Sequence, residues 1–477
     1  MVQPYGVTDY PGFDVESRDE TTSEVTSLLG AASTGKKTTG KEGHATIASC
    51  IGNLSNTIVG SGMLTFPLAL ASAGIIPGVL TCMFSGGASA FGLYLLSRAA
   101  TRAPRRHSSF FAVAALTYPK AATFFDAAIA IKCFGVSISY LIIIKSLMPN
   151  VVAAIHHDIA SPNTRLPDWA LSSHVWICLI MIILAPLSFL RHLNSLRHTS
   201  FIALFAIAYL VVVVVYSYFS PLEGAPEPGE IHLIRFTPTF LSTFPVQVFA
   251  FTCAQNLFPI YNELVNNSQR RMNIIIGTSI GSAVGIYEII GVFGYLTFGS
   301  KVGANVIAMY PSTSIFIAVG QLAIAILVMF SYPMQVHPCR NSLDKIFRPS
   351  IQASNSTLPD DDDASVVDDH GTGEMSIFKH STLTVAIVLS GFTIAYFVDN
   401  LQMVLSFVGS TGSTTVSFIL PGLFFWKLTR NDPETSKALN RSALGLAIYG
   451  MLVFIFCLSY NVYNLVRPLE NHYAPLK

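Results

Sequence analysis

The sequence predicts an all-α polytopic membrane protein of about eleven transmembrane helices. Three observations lead there. Of 477 residues, 51% are hydrophobic and 12% charged, about half the charged fraction of a soluble domain, and mean hydropathy is +0.53. Eleven apolar runs follow one another at roughly 46–73, 75–99, 119–148, 174–190, 196–219, 241–261, 273–298, 312–337, 381–398, 401–426 and 441–463. Most can cross a hydrocarbon layer about 30 Å thick at about 1.5 Å per residue. Runs one and six, which correspond when five helices are repeated, are both interrupted in mid-span.

Run one contains Asn56-Thr57-Ile58-Val59-Gly60-Ser61-Gly62-Met63. Two glycines around a serine make a weak place in a helix, and a broken helix at bilayer depth is tolerated only where it lines a protein-walled or watery cavity. The freed N–H groups of Ser61, Gly62 and Met63 would lie at the positive end of the second half-helix, a seat for a carboxylate. The same glycines also fit a small-residue packing interface. Run six contains Phe251-Thr252-Cys253-Ala254-Gln255-Asn256-Leu257-Phe258-Pro259, which places Phe-Pro as far after a small or polar cluster as Val59 to Pro67 does. Paired breaks in corresponding helices point to a transporter's binding site, while Gln255 and Asn256 alternatively read as interhelical hydrogen-bonding glue. Together the breaks nominate Thr57, Ile58, Gly60, Ser61, Gly62 and Met63, with Phe251, Thr252, Cys253, Gln255 and Asn256, as substrate-binding residues.

Residues 1–43 are polar and Ser/Thr-rich and read as a disordered tail without a cleavable signal peptide. Within the tail, Glu24 stands four residues before Leu28-Leu29, the form of an acidic dileucine signal for a sorting adaptor. Of 28 Lys and Arg residues, Lys132 and Lys145 lie inside a run, and with the N-terminus cytoplasmic only Arg165, Arg235, Lys301, Arg467 and Lys477 fall outside, leaving 21 on the cytoplasmic side. Such asymmetry predicts an N-inside topology. The transmembrane domain is then 44–463, with a disordered acidic cytoplasmic loop at 341–379 and a short non-cytoplasmic tail at 464–477. The seven cysteines fall in apolar runs or at their ends, so no disulfide framework is expected.

The stretch Asn53 to Met63 resembles the first-helix signature of the amino acid/auxin permease family. Cys253 to Glu263, with Leu-Phe-Pro-Ile-Tyr-Asn-Glu, resembles its sixth helix, while Phe134 to Leu141 and Pro333 to Arg340 resemble its third and eighth. The likeness spans nearly all of 44–463 and is greatest to fungal vacuolar amino acid transporters, relatives of the sodium-coupled neutral amino acid transporters. It implies a LeuT-like inverted repeat, an amino acid substrate in the bilayer, and a vacuolar location. It also implies that Asn56, Val59 and Ser331 belong to a coupling-ion region. Ser331 stands where those sodium-coupled relatives carry Thr, which makes a proton the expected coupling ion and sodium the alternative.

Ionisable groups at bilayer depth are functional candidates. Lys132 stands in run three where the family leads one to expect an uncharged polar residue such as Gln. It is read as a substrate-binding cation or as the ion-pair partner of Glu288 in run seven, and Lys145 as a snorkelling residue. No metal-ligand spacing, nucleotide-binding motif or catalytic constellation is found, so no cofactor, ATP or nucleic acid is expected and an enzyme is not predicted. Secondary transport of amino acids out of the vacuole is the first reading, and an amino-acid-sensing transceptor the second.

Overall fold

The structure, a computed structural model, describes residues 43–102, 108–119, 122–159, 166–191, 199–221, 224–347 and 375–466. Thr46 opens the first helix by accepting the Ser49 N–H at 3.2 Å, which satisfies one of the four orphan donors of the helix start. This helix, α1 (Ile47–Ile58), stops at Val59, and after Gly60 a 3-10 turn at Ser61–Thr65 leads into α2 (Phe66–Ala73), which carries Pro67 in its first turn. The two halves are bent by 45°. Gly74 then turns the chain with φ +88, where a Cβ would lie 2.7 Å from the Leu233 carbonyl oxygen. Only glycine fits such a turn.

The remaining rods are α3 (Ile75–Ala100), a short α4 (Phe110–Thr117), α5 (Ala122–Ile159), α6 (Ser173–Ser188) and α7 (Thr199–Phe219). The sixth run splits into α8 (Phe240–Ala250) and α9 (Leu257–Glu263), with a 3-10 turn at Ala254–Asn256 between them. Then come α10 (Gln269–Phe298), α11 (Ile315–Ile346) and α12 (Ile377–Phe397). The tenth run is α13 (Leu401–Val408), two π-helical segments over Gly409–Ser413 and Thr415–Ile419, and α14 (Leu420–Thr429), and α15 (Lys437–Val466) is the last. Among the described residues, eight helices are long and apolar enough to span a membrane, and a ninth span forms if the bent first pair counts as one. The other two expected runs are the shorter α6 and the α8–α9 pair, so all eleven are helical.

The two broken helices run antiparallel, as an inverted repeat requires. At one end the Ala45 N–H donates to the Glu263 carbonyl at 2.9 Å and the Val265 N–H to the Ala45 carbonyl at 3.0 Å. At the other, the Thr237 N–H donates to the Ser72 carbonyl at 3.0 Å and the Ser72 and Thr243 hydroxyls meet at 2.7 Å. Thus α1 and α9 share one side of the protein, α2 and α8 the other. The long α5 fills the middle, with 78% of its most apolar stretch buried, and packs along α11. By contrast, α12 and α15 bury only 28% and 33%, the pattern of lipid-facing spans.

Several boundaries differ from the sequence reading. Helix α5 continues past Pro149 to Ile159, because its helical core packing persists beyond the apolar run. The loop expected at 341–379 is shorter, since α11 reaches Ile346 and α12 resumes at Ile377. The 1–42 part of the tail, with Glu24, Leu28 and Leu29, and residues 348–374 and 467–477 lie outside the described residues. Lys145 does not snorkel. It is 3% exposed, donates to the Ala395 and Tyr396 carbonyls at 2.9 and 3.0 Å, and pairs with Asp399 at 2.6 Å. A cation at these last carbonyls complements the α12 dipole.

Candidate substrate site

Between the two breaks lies a cavity of about 30 Å³, lined from run one by Thr57, Ile58, Gly60, Ser61 and Gly62 and from run six by Phe249, Ala250 and Thr252. Helix α5 adds Lys132, Val136 and Tyr140, and α11 adds Gln335. That volume holds a water or two, so an amino acid enters only when the walls part.

The two glycines of the first break have different jobs. Around Gly60 a Cβ would meet nothing within 4 Å, so packing does not require it; its φ −143, ψ −147 backbone carries the break. At Gly62 a Cβ would lie 2.7 Å from the Ala250 Cβ, so here the close approach of the two breaks demands glycine. The packing reading of this motif is therefore realised at Gly62, while Gly60 carries the break. Ser61 is 3% exposed, and its hydroxyl has no hydrogen-bond partner among the described residues. The Met63 N–H, expected to be free, donates to the Gly60 carbonyl at 3.2 Å.

Of the nominated residues, Thr57, Ile58, Gly60, Ser61, Gly62, Lys132 and Thr252 meet at the cavity. Asn256 stands just beyond and donates to the Thr57 hydroxyl at 2.6 Å, tying the breaks together. Met63, Phe251 and Cys253 are buried in the apolar core behind the wall, and Gln255 is half-buried, its Oε1 unpartnered. In the expected ion region, Val59 is buried, Asn56 half-buried, and Ser331 donates to the Leu327 carbonyl at 2.8 Å, one turn before Gln335. None of these three lines the cavity.

Lys132 is 5% exposed, and among the described residues it makes no ion pair; in particular it does not pair with Glu288. Glu288 is half-buried on α10, one of its carboxyl oxygens without a partner. What holds Lys132 in place is backbone packing: a Cβ on Gly412, in the first π-helical segment, would lie 2.9 Å from the Lys132 amide nitrogen. A lysine and a helix N-terminus thus border one small cavity, an arrangement whose electrostatics favour an anionic group.

Sequence reasoning missed Phe249 and Ala250, and it missed Val136, Tyr140 and Gln335 although these three fall in stretches that carry the family resemblance. It also missed Tyr287 of α10, whose hydroxyl donates toward the Ile58 carbonyl at 2.6 Å and the Ala250 carbonyl at 3.0 Å. A tyrosine in a long apolar run gives no signal that its hydroxyl ends on two helix breaks.

The comparisons with known proteins agree with this architecture. A family model described as transmembrane amino acid transporter protein matches residues 43–464. The Schizosaccharomyces pombe protein named vacuolar amino acid transporter 5 is 42% identical over 434 residues, covering 89% of this chain and 96% of its own. Two Saccharomyces cerevisiae proteins, vacuolar amino acid transporters 6 and 5, are each 34% identical, over 87% and 85% of this chain and 98% and 95% of theirs. Among solved structures, MhsT in complex with L-phenylalanine aligns with a TM-score of 0.52 over 88% of this chain and 100% of its own. At 13% identity that likeness is one of fold, and the fold is LeuT-like. An integral membrane protein with this helix order, and this family match over nearly its whole length, belongs to the transmembrane amino acid transporter family, a family of transporters and not of enzymes.

Proposed function

We propose that this protein moves amino acids across the vacuolar membrane by alternating access, coupled to protons, in the direction from lumen to cytosol. The observation that carries the reading is the unpartnered Ser61 hydroxyl, facing a cavity between two broken helices beside the start of the second half-helix. A substrate carboxylate would take the Ser61 and Gly62 N–H groups and the Ser61 hydroxyl, in the way anions are held at helix N-termini. Lys132 would receive a second carboxylate, on the side chain of aspartate or glutamate. The vacuolar setting follows the names of the relatives. With the N-terminus cytoplasmic, Glu24, Leu28 and Leu29 are placed for a sorting adaptor, and changing both leucines to alanine is expected to move the protein to the plasma membrane.

The test is flux of radiolabelled amino acids in proteoliposomes holding the full-length protein. With an imposed pH gradient, concentrative uptake is expected, and collapsing the gradient should abolish it. Replacing sodium by choline should leave the initial rate unchanged, because Asn56, Val59 and Ser331, the expected ion region, all stand off the cavity. A steep sodium dependence would replace the proton by sodium, and absence of any flux would overturn the transport reading.

A further inference from the structure

Tyr287 is fully buried at 0% exposed, and the two carbonyls in reach of its hydroxyl end half-helices that start on opposite sides of the protein. Ile58 ends α1, whose start is bonded to the end of α9; Ala250 ends α8, whose start is bonded to the end of α2. Both carbonyls belong to the last turn of a half-helix, where no intrahelical donor reaches them. The ring is held independently of the hydroxyl. It stacks on Phe66, the first residue of α2, at 4.5 Å between centroids and 22° between planes, and meets Phe251 edge-on at 5.1 Å. One side chain of α10 thus touches both flanks of the first break and the α8 flank of the second.

A phenol carries a single proton. In the closed arrangement that proton is shared between two acceptors. When α1 swings away to open one side, it can stay with Ala250; when α8 swings away to open the other, it can stay with Ile58. Were both half-helices to leave at once, the phenol would lose both acceptors together, and the hydrogen bond that every other arrangement keeps would be gone. We propose that the Tyr287 hydroxyl is a positioning group that keeps the two gates from opening together. This rests on the alternating-access reading above, which by itself assigns no residue to that task.

The experiment measures leak without substrate. Purified full-length protein is reconstituted in vesicles with a pH-sensitive dye inside, a pH gradient is imposed, and its decay is followed with no amino acid present. Tyr287→Phe keeps the ring and its contacts with Phe66 and Phe251 and removes only the hydroxyl. Losing one hydrogen bond raises the population of the doubly open state by up to roughly ten-fold, so the gradient should decay several-fold faster than with wild type. Amino acid exchange, which needs only one gate at a time, should stay within about two-fold. Tyr295→Phe is the control: it removes a hydroxyl two turns along the same helix that accepts only the His232 N–H, at 3.0 Å, and should leave the decay at the wild-type rate.

Wild-type decay in Tyr287→Phe overturns the proposal. So does equal leak in both variants, which would mean general loosening, and so does failure of Tyr287→Phe to fold, which would make the hydroxyl a fold determinant. If the wild type shows no amino acid flux, the transport reading falls while the leak comparison still decides the role of Tyr287.

Discussion

Lys132 and Lys145 stand on the same helix, about three and a half turns apart, and are buried almost equally at 5% and 3% exposed. Their surroundings are opposite. Lys145 has two carbonyls and a carboxylate, so its charge is answered within the protein. Lys132 has no ion-pair partner among the described residues and borders the cavity between the breaks. A buried cation is costly unless paired, so one whose partners are complete is part of the scaffold, whereas one left open beside a cavity awaits a partner from outside. Burial alone would have assigned them the same role.

The contrast is broken most directly at Lys132. Lys132→Gln is expected to weaken aspartate and glutamate by about 1.5–3 kcal/mol, roughly ten- to a hundred-fold in apparent affinity, while sparing neutral amino acids. Competition against a labelled neutral substrate reads this, and an equal loss for both classes in folded protein would end the distinction. Lys145→Gln should do the reverse, lowering stability by about 1–3 kcal/mol through the stranded α12 carbonyls. Thermal unfolding in detergent measures it, and flux per folded molecule should keep its selectivity. Ser61→Ala sharpens the cavity side: a loss of about 0.5–1.5 kcal/mol, shared by acidic and neutral substrates, because the hydroxyl serves the carboxylate they have in common. The smallest effect is expected for Asp399→Asn. With the Asp399 side chain 78% exposed, the ion pair contributes at most about 1 kcal/mol, and Lys145 should stay in place on the carbonyls. A larger loss of unfolding temperature there than in Lys145→Gln would show that the carboxylate, not the helix end, holds Lys145.

The order of the helices and the place of both breaks were legible in the sequence, because a bilayer enforces long apolar runs and glycine or a polar cluster inside one stands out, as at Gly60 and Gln255. The cavity was half legible. Thr57, Ile58, Gly60, Ser61, Gly62 and Thr252 meet there, but Met63, Phe251 and Cys253 turn into the core, since a break exposes only the few residues on one side of its turn. Lys132 was visible as an oddity, yet its freedom from Glu288 depends on how α5 and α10 are rotated, and that is set by packing such as Gly412 against the Lys132 backbone. Tyr287 was illegible for a related reason: its acceptors lie 229 and 37 residues away, and no local pattern records a contact of that range. Lys145 misled because nearness to a helix end suggests water, while the space there is filled by the end of α12.

The connection between α7 and α8 has a consequence of another kind. From Gly229 to Thr237 it is fastened to α2, α3 and the end of α10 by main-chain groups: Gly229 to Phe298, Glu230 to Ser300, His232 to Ile75, Leu233 to Ile76, Arg235 to Ala73 and Thr237 to Ser72. Bonds of this type are indifferent to side chains. The side chains of Ile231, Leu233, Ile234 and Phe236 are exposed and take no part in these main-chain bonds. Their identities are free to drift, so this segment can be refitted to whatever the compartment outside it holds without disturbing the helices it binds. The exceptions are glycines: a Cβ on Gly229 would lie 2.9 Å from the Lys301 amide nitrogen, and Gly74 and Gly299 have positive φ. In a saturation mutagenesis of 229–237 together with Gly74 and Gly299, tolerance should be broad except at the three glycines and at Thr237, whose hydroxyl also donates to the Ser72 carbonyl at 2.9 Å, the sign of a part inherited largely as a shape.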